Sequence, residues 1–289
     1  MELRFATGNP PDWDPASPEI EVWADRYGNP CAYGQIVGEE SWMHVPRVGS
    51  YLLGDSGRPT LVLPLASVPE WLVLDTFYRT VLPTTLQLRG SEVLHASAVL
   101  VDGGVVALCA HSETGKSTLA YALQEQGHPL YADDAVVFEF EGDRLRLRQV
   151  PFSIRLRRPS AEHFGAPSRE STRVTGEMAP SRHSQANFAA ICVLERFEDA
   201  EESGSVVEVS RLEPAEAFPL VLPHAYCFTL RFPERKALMM RQYLDLLRRV
   251  PVFRVAFRPG LHNLPQITCA IVSAVQADRG ATADALLPA

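Results

Sequence analysis

Apolar positions along the chain fall into two textures. Up to about residue 90, short apolar runs at Ile20–Trp23, His44–Leu53 and Thr60–Leu65 are separated by Gly, Pro and Asn, which predicts short antiparallel strands joined by turns. Gly54-Asp55-Ser56-Gly57 reads as a hairpin loop. Trp71, Leu74, Tyr78 and Val81 recur at helical spacing and predict a helix from Val68 to Leu82, with Pro69 in its first turn and Pro83 ending it. From Glu92 the pattern becomes α/β. Glu92–Val101 and Val105–Cys109 read as strands around the turn Asp102-Gly103-Gly104, and Lys116–Gln126 as a helix stopped by Gly127. Leu130–Ala132 reads as a short buried strand, and Val136–Phe140 with Leu145–Leu147 as a hairpin. Ala189–Leu194 and Val252–Phe257 are further strands, and Ala215–Leu222, Glu234–Arg249 and Leu264–Val275 further helices. The Ser/Arg/Thr-rich stretch Ala166–Ser184 reads as a mobile loop. The expected organisation is a small β-rich domain with one helix over 1–88, an α/β domain over 89–277 and a flexible tail over 278–289.

Composition narrows the function classes. Of 289 residues, 46% are hydrophobic and 21% charged, as in an ordinary globular chain. The formal net charge of -8 supplies no global basic field for nucleic acid or an anionic membrane, so neither is expected as a partner. The five cysteines form no Cys-x-x-Cys pair, and their odd number reads as reduced thiols rather than a disulfide frame or zinc site. The sequence shows no signal-peptide pattern and no apolar run near the ~20 residues of a membrane span, so a cytoplasmic protein is expected. Lysine occurs only at Lys116 and Lys236, the other basic residues being arginine, which draws attention to position 116.

Lys116 falls in Ala110-His111-Ser112-Glu113-Thr114-Gly115-Lys116-Ser117-Thr118, between an apolar strand and a helix. A phosphate loop needs that context: amides from Ser112 to Thr118 curl around phosphate at the positive end of the helix dipole. Lys116 would bridge the β- and γ-phosphates of ATP, and Ser117 would offer its hydroxyl to Mg²⁺. Gly115 would let the backbone turn against the phosphates without a Cβ in the way. The full pattern asks for glycine where Ala110 stands. The competing reading is a plain strand–helix turn capped by Ser112 or Thr114.

Asp133 and Asp134 follow Leu130-Tyr131-Ala132 directly. Carboxylates at the end of a parallel strand reach the crevice where open α/β sheets bind ligands. One can hold Mg²⁺ and the other can accept a proton from an attacking hydroxyl. Neighbouring strand residues point to opposite faces, so both reach one site only if the chain bends there. His95, in the strand Glu92–Val101, would face either the γ-phosphate or an aspartate; a structural role is the alternative.

Taken in order, Leu94-His95-Ala96-Ser97-Ala98-Val99, Asp102-Gly103, Ser112 to Leu119, and Gly127-His128-Pro129-Leu130-Tyr131-Ala132-Asp133-Asp134 resemble the core of HPr kinase/phosphorylase. The match spans about Val93 to Val137, with an echo at Pro151-Phe152-Ser153-Ile154-Arg155-Leu156. It looks closer to the shorter HPr-kinase-like proteins, some of which phosphorylate serine on lasso-peptide precursors, and the family fold is similar to phosphoenolpyruvate carboxykinase. The resemblance implies an α/β, carboxykinase-like nucleotide core carrying an ATP- and Mg²⁺-dependent kinase. By the same resemblance Lys116 binds phosphate, Ser117 and Asp134 hold the metal, and Asp133 is the base. His95 orients Asp133 or meets the γ-phosphate, and Arg155 is a transition-state cation. The acceptor it implies is a serine of a peptide or protein, with a small-molecule alcohol second, and a homo-oligomer is compatible with it. The C-terminal signature that accompanies HPr phosphorylase activity is missing, which argues against HPr itself as partner. Ala110 and Glu113 stand at positions often held by glycine. They keep open a rival reading, a catalytically degenerate scaffold that presents the N-terminal domain to a partner.

Three other features carry weaker readings. Arg155, Arg157 and Arg158 form a basic cluster that would suit an acidic peptide or simply line a strand edge. Arg173, Arg182 and His183 would touch a substrate or be solvated. The N-terminal tryptophans would build a small core or receive a peptide by strand addition, the core being favoured.

Overall fold

A computed structural model describes residues 2–24, 27–54, 57–166, 186–197, 204–227 and 232–285. The expected mobile loop from residue 167 on, with Arg173, Arg182 and His183, lies outside the described residues. The chain divides into two compact units, the first running to Val93 and including Tyr226–Lys236, the second starting at Leu94.

The first unit is a six-stranded sheet. Its strands are β1 (Leu3–Phe5), β2 (Glu21–Ala24), β3 (Pro30–Val37), β4 (Glu40–Val45), β5 (Gly49–Leu52) and β6 (Thr60–Pro64), in the order β1-β6-β5-β4-β3-β2. All neighbours are antiparallel except β1 against β6. The run His44–Leu53 is not one strand but the end of β4 and all of β5. It is folded at Pro46–Val48, where Arg47 takes a left-handed φ of 64°. The helix does not stop at Pro83. α1 (Glu70–Thr76) passes through a π-helical turn at Phe77–Val81 into α2 (Leu82–Leu88). Pro83 cannot donate a backbone hydrogen bond, and the wider turn just before it absorbs the misfit. The hydroxyls of Thr84 and Thr85 bond to the carbonyls of Thr80 (2.9 Å) and Val81 (2.8 Å) in the same stretch. Tyr51, Val62, Val73, Phe77 and Val81 form the buried centre, and Tyr51 donates to the Val73 carbonyl at 3.0 Å.

His44 lies inside this unit, stacked on Trp13 at 4.5 Å and 5°. Its Nε2 donates to Gln35 Oε1 (3.0 Å), and its Nδ1 accepts from the Ser50 hydroxyl (2.8 Å). Burial pushes its pKa from the ordinary 6.5 down to about 4. The unfolded chain therefore takes up this proton more readily than the fold. The His44 contribution is intact above about pH 6.5 and is lost as the pH falls toward 4. In urea melts the stability gap between wild type and His44→Gln should shrink by about 1–2 kcal/mol from pH 7 to pH 5; a constant gap would contradict the assignment.

The second unit is built on another six-stranded sheet. After β7 (Glu92–Leu94), which passes from one unit to the other, come β8 (Ala96–Val101), β9 (Gly104–Cys109), α3 (Lys116–Glu125) and β10 (Leu130–Ala132). Then follow the hairpin β11 (Val136–Glu141) and β12 (Arg144–Arg148), α4 (Arg158–Phe164), β13 (Phe188–Arg196), β14 (Val207–Leu212) and α5 (Pro214–Val221). The last elements are α6 (Pro233–Arg249), β15 (Val252–Phe257) and α7 (Leu264–Ala285). The sheet order is β10-β8-β9-β13-β15-β14, with β9, β13 and β15 mutually parallel. β10 is an edge strand antiparallel to β8, not a member of the parallel run. Because β8 is itself antiparallel to β9, β10 points the same way as β9, and Asp133 still leaves at the end of the sheet where β9 delivers its loop.

Leu119 and Leu123 of α3 and Ile267, Ile271 and Val275 of α7 share a core with Val106, Leu108, Cys192 and Val255 of the sheet. α7 runs to Ala285 rather than ending at Val275, so most of the expected tail is helical. Its extension is held by side chains: Arg279 donates to the Val101 carbonyl at 3.1 Å, and Asp278 pairs with Arg211 at 2.8 Å. The described elements are thus a mixed α/β fold with several sheets.

Candidate functional site

β9 is buried along its whole length and ends at Cys109; the chain then loops through Ala110–Gly115 into α3. Gly115 is the N-cap, at φ 124°, with no heavy atom within 4 Å of the place a Cβ would take. That conformation is one an L side chain rarely adopts, which is why glycine stands there. No side chain caps the helix, so the Ser112 or Thr114 cap of the competing reading does not form. The first amides of α3 are left facing the loop, the arrangement that attracts anions.

Lys116 is buried, at 8% exposure. Its Nζ donates to the Ala110 carbonyl at 2.8 Å, its one hydrogen bond among the described residues, and an ammonium has three donors. Burial lowers its pKa, while Asp134, Cys109 and Asp133 pull the other way. A lysine in this position is a desolvated cation with donors to spare.

The two aspartates separate in space. Asp133 is buried, and its Oδ1 accepts from Ser97 Oγ (2.6 Å) and Ser117 Oγ (3.0 Å). Asp134 adopts a left-handed φ of 65°, so the chain bends directly after the strand. Its Oδ1 lies 3.8 Å from His95 Nε2. The expected strand Glu92–Val101 breaks at His95, whose N–H donates to the His224 carbonyl (2.7 Å) in place of a regular ladder bond.

Glu113 occupies a position at φ 72° where glycine would be relaxed. Its carboxylate is ion-paired with Arg157. Arg196, at the end of the adjacent strand β13, grips the same loop through the carbonyls of Glu113 (2.6 Å) and Thr114 (3.3 Å). Thr118 points to Ser160 of α4 (3.0 Å), and Ser112 is exposed. Arg155 is half-buried, with its Nε and Nη2 enclosed. Arg158 pairs with Glu162 in its own helix, so the basic cluster of the sequence is dispersed.

Four contributors escape the sequence reading: Ser97, Arg157 in its loop-pairing role, Arg196 and His224. His224 ends a 3-10 turn, Leu222–His224, and its ring centroid is 5.4 Å from that of His111. Among the described residues no group of three or more His, Cys, Asp or Glu is disposed as a metal cluster. The Ser117–Asp133 pair nonetheless offers two hard oxygens side by side, a donor set suited to Mg²⁺. No described helix is long and apolar enough to cross a membrane.

No protein-family model matches the chain, and no curated protein sequence does. Among solved structures the chain is similar to the HPr(Ser) kinase/phosphatase from Coxiella burnetii, at 17% identity and a TM-score of 0.34, over 66% of this chain and 97% of that one. What the site can do rests on its own geometry.

Proposed function

We propose that the second unit is an ATP- and Mg²⁺-dependent kinase core of the HPr-kinase-like and carboxykinase-like type. It would transfer the γ-phosphoryl group to an acceptor hydroxyl, first a serine of a peptide or protein. The observation that carries this reading is Lys116: a buried ammonium with spare donors, beside uncapped helix amides, at the end of a buried strand. The carboxykinase-like assignment, and a peptide as acceptor, rest on the sequence resemblance.

The residues divide the work as follows. Lys116 and the Ser112–Thr118 amides hold the phosphates. The Ser117–Asp133 contact favours these two as metal ligands, which exchanges the roles given to the aspartates by the resemblance. A Mg²⁺ ion held by Ser117 and Asp133 would supply charge neutralisation for the phosphoryl groups. Asp134, with His95 beside it, then takes the acceptor proton as the new O–P bond forms and the bond to the β-phosphate breaks, releasing ADP. Titration of Mg·ATP into the protein by calorimetry tests the reading; a folded protein that takes up no heat would end it.

A carboxylate at Glu113 would repel a polyphosphate in this loop, and its pairing with Arg157 offsets that charge, which favours the kinase over the scaffold reading. The pair is partly exposed, so its effect is screened by salt. Arg157→Ala should weaken Mg·ATP binding by about threefold to tenfold at low salt, and adding Glu113→Gln should recover most of the loss. A loss that the second change does not recover would mean that Arg157 acts other than through Glu113.

A further inference from the structure

His224 is 5% exposed, yet its ring nitrogens have no hydrogen-bond partner among the described residues. Neither ring nitrogen is sealed from solvent, so the largely buried ring keeps a polar edge that a ligand can reach. The backbone that carries the ring is fixed in place. Its carbonyl accepts from the N–H of His95 at 2.7 Å, and Ala225 forms an antiparallel bridge with Leu94. Pro223 stiffens the turn that carries it. The backbone on either side is therefore fastened to the strand that bears His95.

The neighbours of the ring define what it faces. His111, at the start of the loop, lies 5.4 Å away between ring centroids, and Lys116, His111 and His95 are the neighbours that act on its titration. Lys116 of a phosphate loop reaches the β- and γ-phosphates. His95 marks the side where Asp134 would meet the acceptor. With Lys116 reaching the terminal phosphates, an imidazole within its electrostatic reach and beside His111 would stand on the terminal-phosphoryl side of the loop.

We infer that His224 is a substrate-contacting residue of this site: one of its ring N–H groups donates a hydrogen bond to an oxygen of the terminal phosphoryl group and so distinguishes a nucleoside triphosphate from a diphosphate. The inference rests on the kinase reading of the loop and adds a residue to it. Burial, with Lys116 and the other two histidines, pushes the pKa of His224 down to about 4, so the ring is neutral. A neutral donor stabilises phosphoryl oxygens without competing for the proton that Asp134 must accept.

The test compares Mg·AMP-PNP with Mg·ADP. In ¹⁵N–¹H spectra of the wild type, with the His224 signal identified by its loss in His224→Gln, that signal should shift with Mg·AMP-PNP and stay with Mg·ADP. His224→Phe should bind Mg·AMP-PNP about tenfold more weakly and Mg·ADP nearly as well as wild type, while His224→Gln, which keeps a donor, should recover much of the loss. A His224 signal that ignores both ligands while the Gly115 amide moves would overturn the inference and leave the kinase reading standing. Equal shifts with both ligands would overturn it too, by removing the terminal phosphoryl group as the partner. If the Gly115 amide responds to neither ligand, the nucleotide reading fails and His224 with it.

Discussion

Lys116→Met should abolish measurable Mg·ATP binding while making the unliganded protein no less stable. The first half follows from charge. The Nζ of Lys116 sits in a nearly dry site, where an ion pair with phosphate is far stronger than at a surface. Losing it should weaken binding by at least about a hundredfold, roughly 3 kcal/mol or more. The second half follows from desolvation. Burial lowers the Lys116 pKa, which means that the fold holds this charge at a cost, offset only in part by the Ala110 carbonyl and the nearby acids. Methionine has a similar reach and carries no charge, so it removes the cost together with the function. Thermal unfolding without ligand should therefore give a melting temperature equal to wild type or a few degrees higher. With Mg·ATP present only the wild type should gain stability. If the variant bound Mg·ATP like the wild type, the loop would not be a phosphate site. If it melted well below wild type, Lys116 would be a structural residue.

Much of this arrangement is legible in the chain, and the rest is hidden for physical reasons. β9, the loop and α3 lie within a residue or so of their expected bounds because burial and glycine placement act locally there. That both aspartates could reach one site only through a bend can be reasoned from strand geometry, and Asp134 does take a left-handed backbone directly after the strand. The break at His95 cannot be read from the sequence, because its cause is the carbonyl of His224, far along the chain. The same holds for Arg196 and Ser97, whose partners are set by strand order rather than by spacing. β14 differs, because Val207 and Val209 alternate with Glu208 and Ser210, a strand signal that the sequence itself carries. Pro83 misleads for an energetic reason, since a π-turn is a cheaper response than ending a helix whose next residues are buried.

Asp134→Asn and Asp133→Asn should fail in different ways, and the difference decides which carboxylate does which job. Asn tolerates the left-handed backbone at 134, so Asp134→Asn keeps the bend and the fold. It cannot take a proton, so transfer should fall by about a thousandfold while Mg·ATP binding holds within a few fold. Asp133→Asn keeps an oxygen that can accept from Ser97 and Ser117 but loses the charge that a metal ion needs. Its main defect should be a raised Mg²⁺ requirement, by tenfold or more, with activity partly restored at high Mg²⁺. Both can be read without knowing the acceptor, as slow transfer to water measured by phosphate release against Mg²⁺ concentration. The sequence resemblance makes the opposite assignment, Asp133 as base and Asp134 at the metal. A Mg²⁺-rescuable Asp134→Asn beside an Asp133→Asn inert at every Mg²⁺ concentration would restore it. The exchanged assignment is our proposal, and its support is that a hydroxyl of the loop touches Asp133, whereas Asp134 has the histidine beside it. A carboxylate that touches the loop's own hydroxyl is placed to share a cation with it, and one beside an imidazole is placed to meet an acceptor hydroxyl.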